Sequence, residues 1–164
     1  MGLATYEFLE ELFSVGPSTF YRAKNAILGH EIMVRRLSID PTRAENARET
    51  FYREQRHSAQ LSHPQIQRPI EVFEEQDHLW SVHEFRTTRP TAVIVKEDGP
   101  LAIAESARLR SQIADALAYM HGRHFMHGKV SPQFTLEDER GDAQLINMVN
   151  CAHRAAGGWP LRAA

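Results

Sequence analysis

Nine histidines make metal binding the first chemistry to weigh, and three of them, His121, His124 and His127, recur at three-residue intervals. On one continuous helix that spacing would bring the imidazoles toward a common side, where a zinc ion could be held. Gly122 interrupts the set, because glycine suits the left-handed position that ends a helix, and no metal site is expected. Cys151 is the single cysteine, so neither an internal disulfide nor a thiolate cluster can form; it reads as a small buried residue. Ser14, Ser18 and Ser38 show no sign of an activated nucleophile. Arg35-Arg36 is too short to be a nucleic-acid patch, and 19 Lys+Arg against 21 Asp+Glu leave a net charge of −2. That balance argues against a general binder of nucleic acid or anionic membrane. No apolar stretch approaches the roughly 18 residues needed to span a bilayer, and the start, Met1 to Tyr6, lacks a targeting pattern. The cytosol is the expected compartment.

The elements that would position any site can be read from periodicity. Asp40-Pro41 supplies an N-cap and a first-turn proline, with Thr42 and Glu45 spaced as a capping box. Ala44, Ala47, Phe51, Glu54, Ser58 and Leu61 then recur at helical spacing. A second helix is predicted from Ile103 to His121, with Ile103, Ala107, Ile113, Ala114, Leu117 and Met120 as its apolar face and Gly122 as its stop. Strands are predicted at 6–12, 20–23, 31–37, 70–73 and 79–85, with a turn bounded by Asn25 and Gly29. Weaker strand signals follow at 124–126, 135–137 and 144–146. The Ala/Gly-rich end, from Ala155, is expected to be poorly ordered. Three strands, a helix, two strands, a helix and hairpin pieces make an α+β pattern with an antiparallel sheet, in a chain of 164 residues that suits one domain.

In this order the residues resemble a protein kinase of the serine/threonine type. Leu61-Ser62-His63-Pro64-Gln65-Ile66 follows the first helix as in that family's N-terminal lobe, and Leu79 to Phe85 resembles its last strand entering the hinge. Gln112 to His121 resembles helix E, and His127-Gly128-Lys129-Val130-Ser131-Pro132 sits where the catalytic loop belongs. The resemblance covers about residues 6–152. It implies an N-lobe (1–85) of five antiparallel strands plus helix C, a truncated, partly helical C-lobe (86–152, with helices D and E), and a flexible tail (153–164).

The same resemblance implies that the catalytic parts are degenerate. Phe13, Val15 and Ser18 fall at the three glycine positions of the phosphate loop, Gly16 lies between them, and Pro17 removes a donor. Arg35 replaces the phosphate-pairing lysine, a planar fork in place of a compact ammonium. Glu54 matches the helix C glutamate, so an Arg35–Glu54 pair is expected as a structural clamp. His127-Gly128-Lys129 stands for His-Arg-Asp and puts a cation where the proton acceptor belongs. Phe134 replaces the metal-binding Asn, and Asn147 the metal-binding Asp, which leaves Mg²⁺ without hard anionic ligands. Phe20, Met33, His83, Leu12, Val15, Leu136 and Ile146 are expected to fill the nucleotide cleft, so no ATP is expected to bind. The alternative is a divergent serine/threonine kinase using ATP and Mg²⁺ through Arg35 and relocated carboxylates. With the chain stopping soon after Asn147, the face of helix E bearing Ile113, Leu117 and Met120 is expected to lie uncovered and to meet another protein, a second copy, or the Trp159-Pro160-Leu161 segment.

Overall fold

The computed structural model describes residues 2–146, so Asn147 and the predicted flexible tail lie outside the described residues. Five strands form one antiparallel sheet: β1 (Tyr6–Val15), β2 (Ser18–Asn25), β3 (Glu31–Ser38), β4 (Pro69–Glu75) and β5 (His78–Glu84), in the order β1-β2-β3-β5-β4. Helix α1 (Ala44–Ala59) crosses between β3 and β4 in the chain. Beyond β5 come β6 (Thr88–Pro90), α2 (Thr91–Glu97), α3 (Ile103–Gly122), β7 (Thr135–Asp138) and β8 (Ala143–Leu145), with β6, β7 and β8 making a small second sheet. This order of elements fits the N-lobe and partial C-lobe that the resemblance implies.

Alternation along the central strands sends residues to opposite faces of the large sheet. Ala23, Ile32, Val34, Trp80 and Val82 form a buried cluster on one face. The N-terminal turn closes over it: Tyr6 stacks on Phe73 with centroids 6.2 Å apart and donates its hydroxyl to Glu71, and the Leu3 N–H reaches Glu75 at 2.7 Å. Two bulges in β1, between Phe8 and Glu10 and between Glu11 and Phe13, bend the strand. It therefore runs on to Val15, past the predicted end at Leu12. On the other face Phe20 is registered with Arg35, and Met33 and Arg35 with His83 and Ser81. These five side chains look toward α1 and the second sheet.

Asp40 caps the 3₁₀ turn Pro41–Arg43 that leads into α1, and it takes the Thr42 N–H that the predicted Thr42–Glu45 box would give to Glu45. Asp40 Oδ1 accepts both the N–H and the hydroxyl of Thr42, at 2.9 and 2.7 Å, across a short 3₁₀ turn. The α1 stripe buries Phe51, Glu54, Gln55 and Ser58. In α3, Gly122 remains helical and His124 takes the left-handed conformation at φ 65°. The predicted strand at 124–126 is instead a turn that drives Phe125 into the core, its N–H bonded to Met120 O at 2.9 Å.

The predicted uncovered face of α3 needs correction. Met120 is fully buried, and Ile113 and Leu117 pack against the cluster of Leu61, Ile66, Ala116, Phe125 and Leu145. The cover comes from the loop after α1 and from β8, both distant in sequence. Ile103, by contrast, is 87% exposed. Met120→Ala is therefore expected to cost about 2–5 kcal/mol and Ile103→Ala less than about 0.5 kcal/mol, read from urea unfolding midpoints.

Candidate functional site

Arg35 is a full charge on a central strand, and its guanidinium carries more donors than a lysine would. Nη1 meets Glu54 Oε1 at 2.8 Å, with both side chains 5% exposed. Nε–H donates to Ser18 Oγ at 3.0 Å, and the guanidinium lies 5.6 Å from the Phe51 ring centre. Helix α1 thus delivers Glu54 and Phe51, and the β1–β2 hairpin delivers Ser18, to one buried cation. Ser18 was predicted only as a glycine replacement. Its role as an acceptor escaped the sequence reading, although an arginine in place of a lysine demands one more acceptor nearby.

A second polar chain crosses the same face. Ser81 lies directly opposite Arg35 and donates its hydroxyl to His83 Nε2 at 2.8 Å. His83 Nδ1–H then donates to the Arg68 carbonyl at 2.9 Å, which fixes the tautomer. Burial, with the Arg35 charge adding to it, pushes His83 down to about 3. In the loop after α3, Lys129 N–H donates to His127 Nδ1 at 3.3 Å, so Nε2 carries the proton and donates to Ile146 O at 3.2 Å. Burial holds His127 down at about 4. Both imidazoles are neutral braces at neutral pH.

The apolar candidates meet in one cluster. Phe20, Met33, Phe134, Leu136 and Ile146 are buried together, with Leu12, Phe13, Val15 and Phe85 packed around them. Phe13 stacks on Phe20 at 4.6 Å between centroids. His83 lies across from Met33 at the rear. Two members were missed as packing groups: Phe13, assigned to a glycine position, and Phe134, assigned to a ligand position. Lys129 Nζ stands 5.0 Å over the Phe134 ring.

Beside this cluster, under the hairpin turn at Gly16-Pro17, a cavity of about 330 Å³ opens toward α1. Its polar lining includes Ser18, Arg35, Thr50, Glu54 and Lys129. Among the described residues lining it, Glu54 holds the one carboxylate, and that group faces Arg35. Lys129, which the resemblance aligns with the family's proton-accepting acid, lines the same cavity. Asn147 lies outside the described residues.

The sequence profile of the protein kinase domain matches residues 6–149, through both sheets and all the elements above. The chain belongs to the protein kinase domain family. It is similar to the serine/threonine-protein kinase PrkC of Bacillus subtilis, 26% identical over 142 residues that make up 87% of this chain and 22% of that protein. It is also similar to the probable serine/threonine-protein kinase PknB of Corynebacterium glutamicum, 28% identical over 146 residues, 87% of this chain and 23% of the relative. The serine/threonine-protein kinase pkn2 of Myxococcus xanthus is 27% identical over 145 residues, 87% and 17% of the two chains. The chain thus spans less than a quarter of the length of these relatives.

Two outcomes follow from this kinase domain's buried polar groups. Arg35→Met alone strands Glu54 in the interior and is expected to cost about 3–5 kcal/mol, whereas Arg35→Met with Glu54→Leu regains most of the loss; chemical denaturation of the three proteins tests this. His83 and His127 bind protons more readily unfolded, near pH 6.5, than folded, near 3 and 4. Their contribution is complete above about pH 6.5 and is lost as the pH falls toward 4. The urea midpoint is expected to fall across that window, and less steeply in His83→Gln.

Proposed function

We propose that this kinase domain is non-catalytic and serves as a protein-binding module, its nucleotide cleft filled by its own side chains. The observation that carries the reading is the cluster of Phe20, Met33, Phe134, Leu136 and Ile146, which joins the two sheets through the space a flat purine would need. Lys129 at the base position and Phe134 at the metal-ligand position support it, because phosphoryl transfer depends on charge neutralisation and on a group to orient the nucleophile. The absence of metal and nucleotide cofactors belongs to this reading, as does a cytosolic setting, which suits a chain with one cysteine. So does the division near residue 85 into an N-lobe and a partial C-lobe.

One observation favours the rival, a divergent serine/threonine kinase. The 2.8 Å Arg35–Glu54 pair has the form of the family's lysine–glutamate contact. The two readings part in a titration and an assay. Thermal unfolding of the full chain in about 5 mM ATP with Mg²⁺ is expected to shift by less than about 1 °C, the behaviour of a protein whose folded state gains no ligand. A shift of several degrees, or transfer of radiolabelled phosphate to casein that Glu54→Gln abolishes, would overturn the non-catalytic reading.

A further inference from the structure

A groove of about 650 Å³ lies away from the interlobe cluster, on the side where the loop after α1 meets the start of β4 and the segment after β5. Its wall is fixed by backbone hydrogen bonds. Gln67 N–H donates to Leu145 O at 3.1 Å, Leu145 N–H to Gln65 O at 2.7 Å, and Ile66 N–H to His63 O at 3.0 Å. The register shift between Pro69 and Glu71 leaves Ile70 out of the β4–β5 ladder. Bulges re-aim side chains, and Ile70 stands 64% exposed in the lining of the groove.

Three features give the groove a chemical preference. Gln67 and Gln144 line it while only 7% and 5% exposed, and Gln67 Nε2 and Gln144 Oε1 have no hydrogen-bond partner in the chain. A buried donor and a buried acceptor left unmatched are costly, and either side-chain amide, turned toward the groove, would meet a main-chain N–H or C=O of a ligand. Ile66, Pro69 and Ile70 supply apolar contact. At the rim stand two guanidiniums, Arg68 and Arg86, against one carboxylate, Glu84, which lies 3.9 Å from Arg86. Arg86 also reaches Pro64 O at 3.4 Å. The rim therefore carries net positive charge on a chain whose overall charge is −2.

We propose that this groove binds an extended acidic peptide segment of a partner protein, with main-chain amides toward Gln67 and Gln144, an apolar side chain on Ile70, and carboxylates at Arg68 and Arg86. The proposal rests on the binding role given above and names what that role takes. Nucleotide titration reads the cleft and peptide titration reads the groove, so either can fail alone.

The test is fluorescence anisotropy of the full chain with a fluorescein-labelled, end-blocked octapeptide of alternating glutamate and leucine, and with its lysine-for-glutamate counterpart. The acidic peptide is expected to bind saturably, and Arg68→Glu and Ile70→Asp are each expected to weaken it about tenfold, as charge reversal or loss of an apolar anchor does. Arg110→Glu, on α3 outside the groove, is expected to leave it unchanged. Both altered groove positions are exposed, and matching circular dichroism spectra verify that the variants fold. No saturation by about 1 mM peptide, a weakness that corresponds to about −4 kcal/mol, would overturn the proposal. So would equal binding of the lysine peptide, or binding indifferent to both groove variants.

Discussion

The buried pair of Arg35 and Glu54 is the constraint to which much else in the N-lobe answers. A guanidinium removed from water must be matched donor by donor, or its desolvation outweighs its attraction to a carboxylate. Glu54 takes one face of it and Ser18 takes Nε, while Phe51 offers its ring. These partners come from two separate elements, α1 and the β1–β2 hairpin, so the position of α1 against the sheet and the depth of the β1–β2 hairpin are set together. The fold has not simply tolerated an arginine at a lysine position. It has surrounded the wider head group with an acceptor that a glycine at residue 18 could not supply.

The same substitution of side chain for empty space recurs next door. Where the resemblance implies a loop of glycines over a phosphate, the chain has Phe13, Val15 and Ser18 turned inward; where it implies a roof and floor of small residues, it has Phe20 and Met33. Phe20 and Met33, at 1% and 0% exposure, each stabilise the folded chain by roughly the 1.5–3 kcal/mol that a large apolar side chain gains on leaving water. Stabilising the cleft and emptying it for a ligand are opposed demands on the same residues. Lys129, resting over Phe134, sits at the edge of that apolar cluster.

Much of this architecture was legible in the sequence because it depends on local patterns. Five strands showed themselves through alternation, and α1 through Asp40, Pro41 and the spacing from Phe51 to Ser58. The Arg35–Glu54 contact and the company of Phe20, Met33, Leu136 and Ile146 followed from register with the kinase pattern. What stayed hidden depended on partners far away in the chain. Met120 looked uncovered because its cover, Leu61, Ile66 and Leu145, comes from two other segments. Gly122 looked like a helix stop, yet His124 takes that conformation, since seating Phe125 in the core outweighs a non-glycine residue's reluctance to adopt it. β6, three residues ending in proline, carries no periodicity of its own and exists because β7 pairs with it.

The apolar cluster has a mechanical meaning as well. Phe20 and Met33 belong to the upper sheet, Leu136 to the lower one, and Ile146 directly follows it. Two bodies joined only by a hinge can rock, since little surface changes hands when they part. Here opening the jaws would bring a continuous greasy seam into water, so the halves are yoked. Slow amide exchange would then be shared across both, as a single cooperative unit, and a molecule that in outline looks built to open and shut would behave as one rigid block.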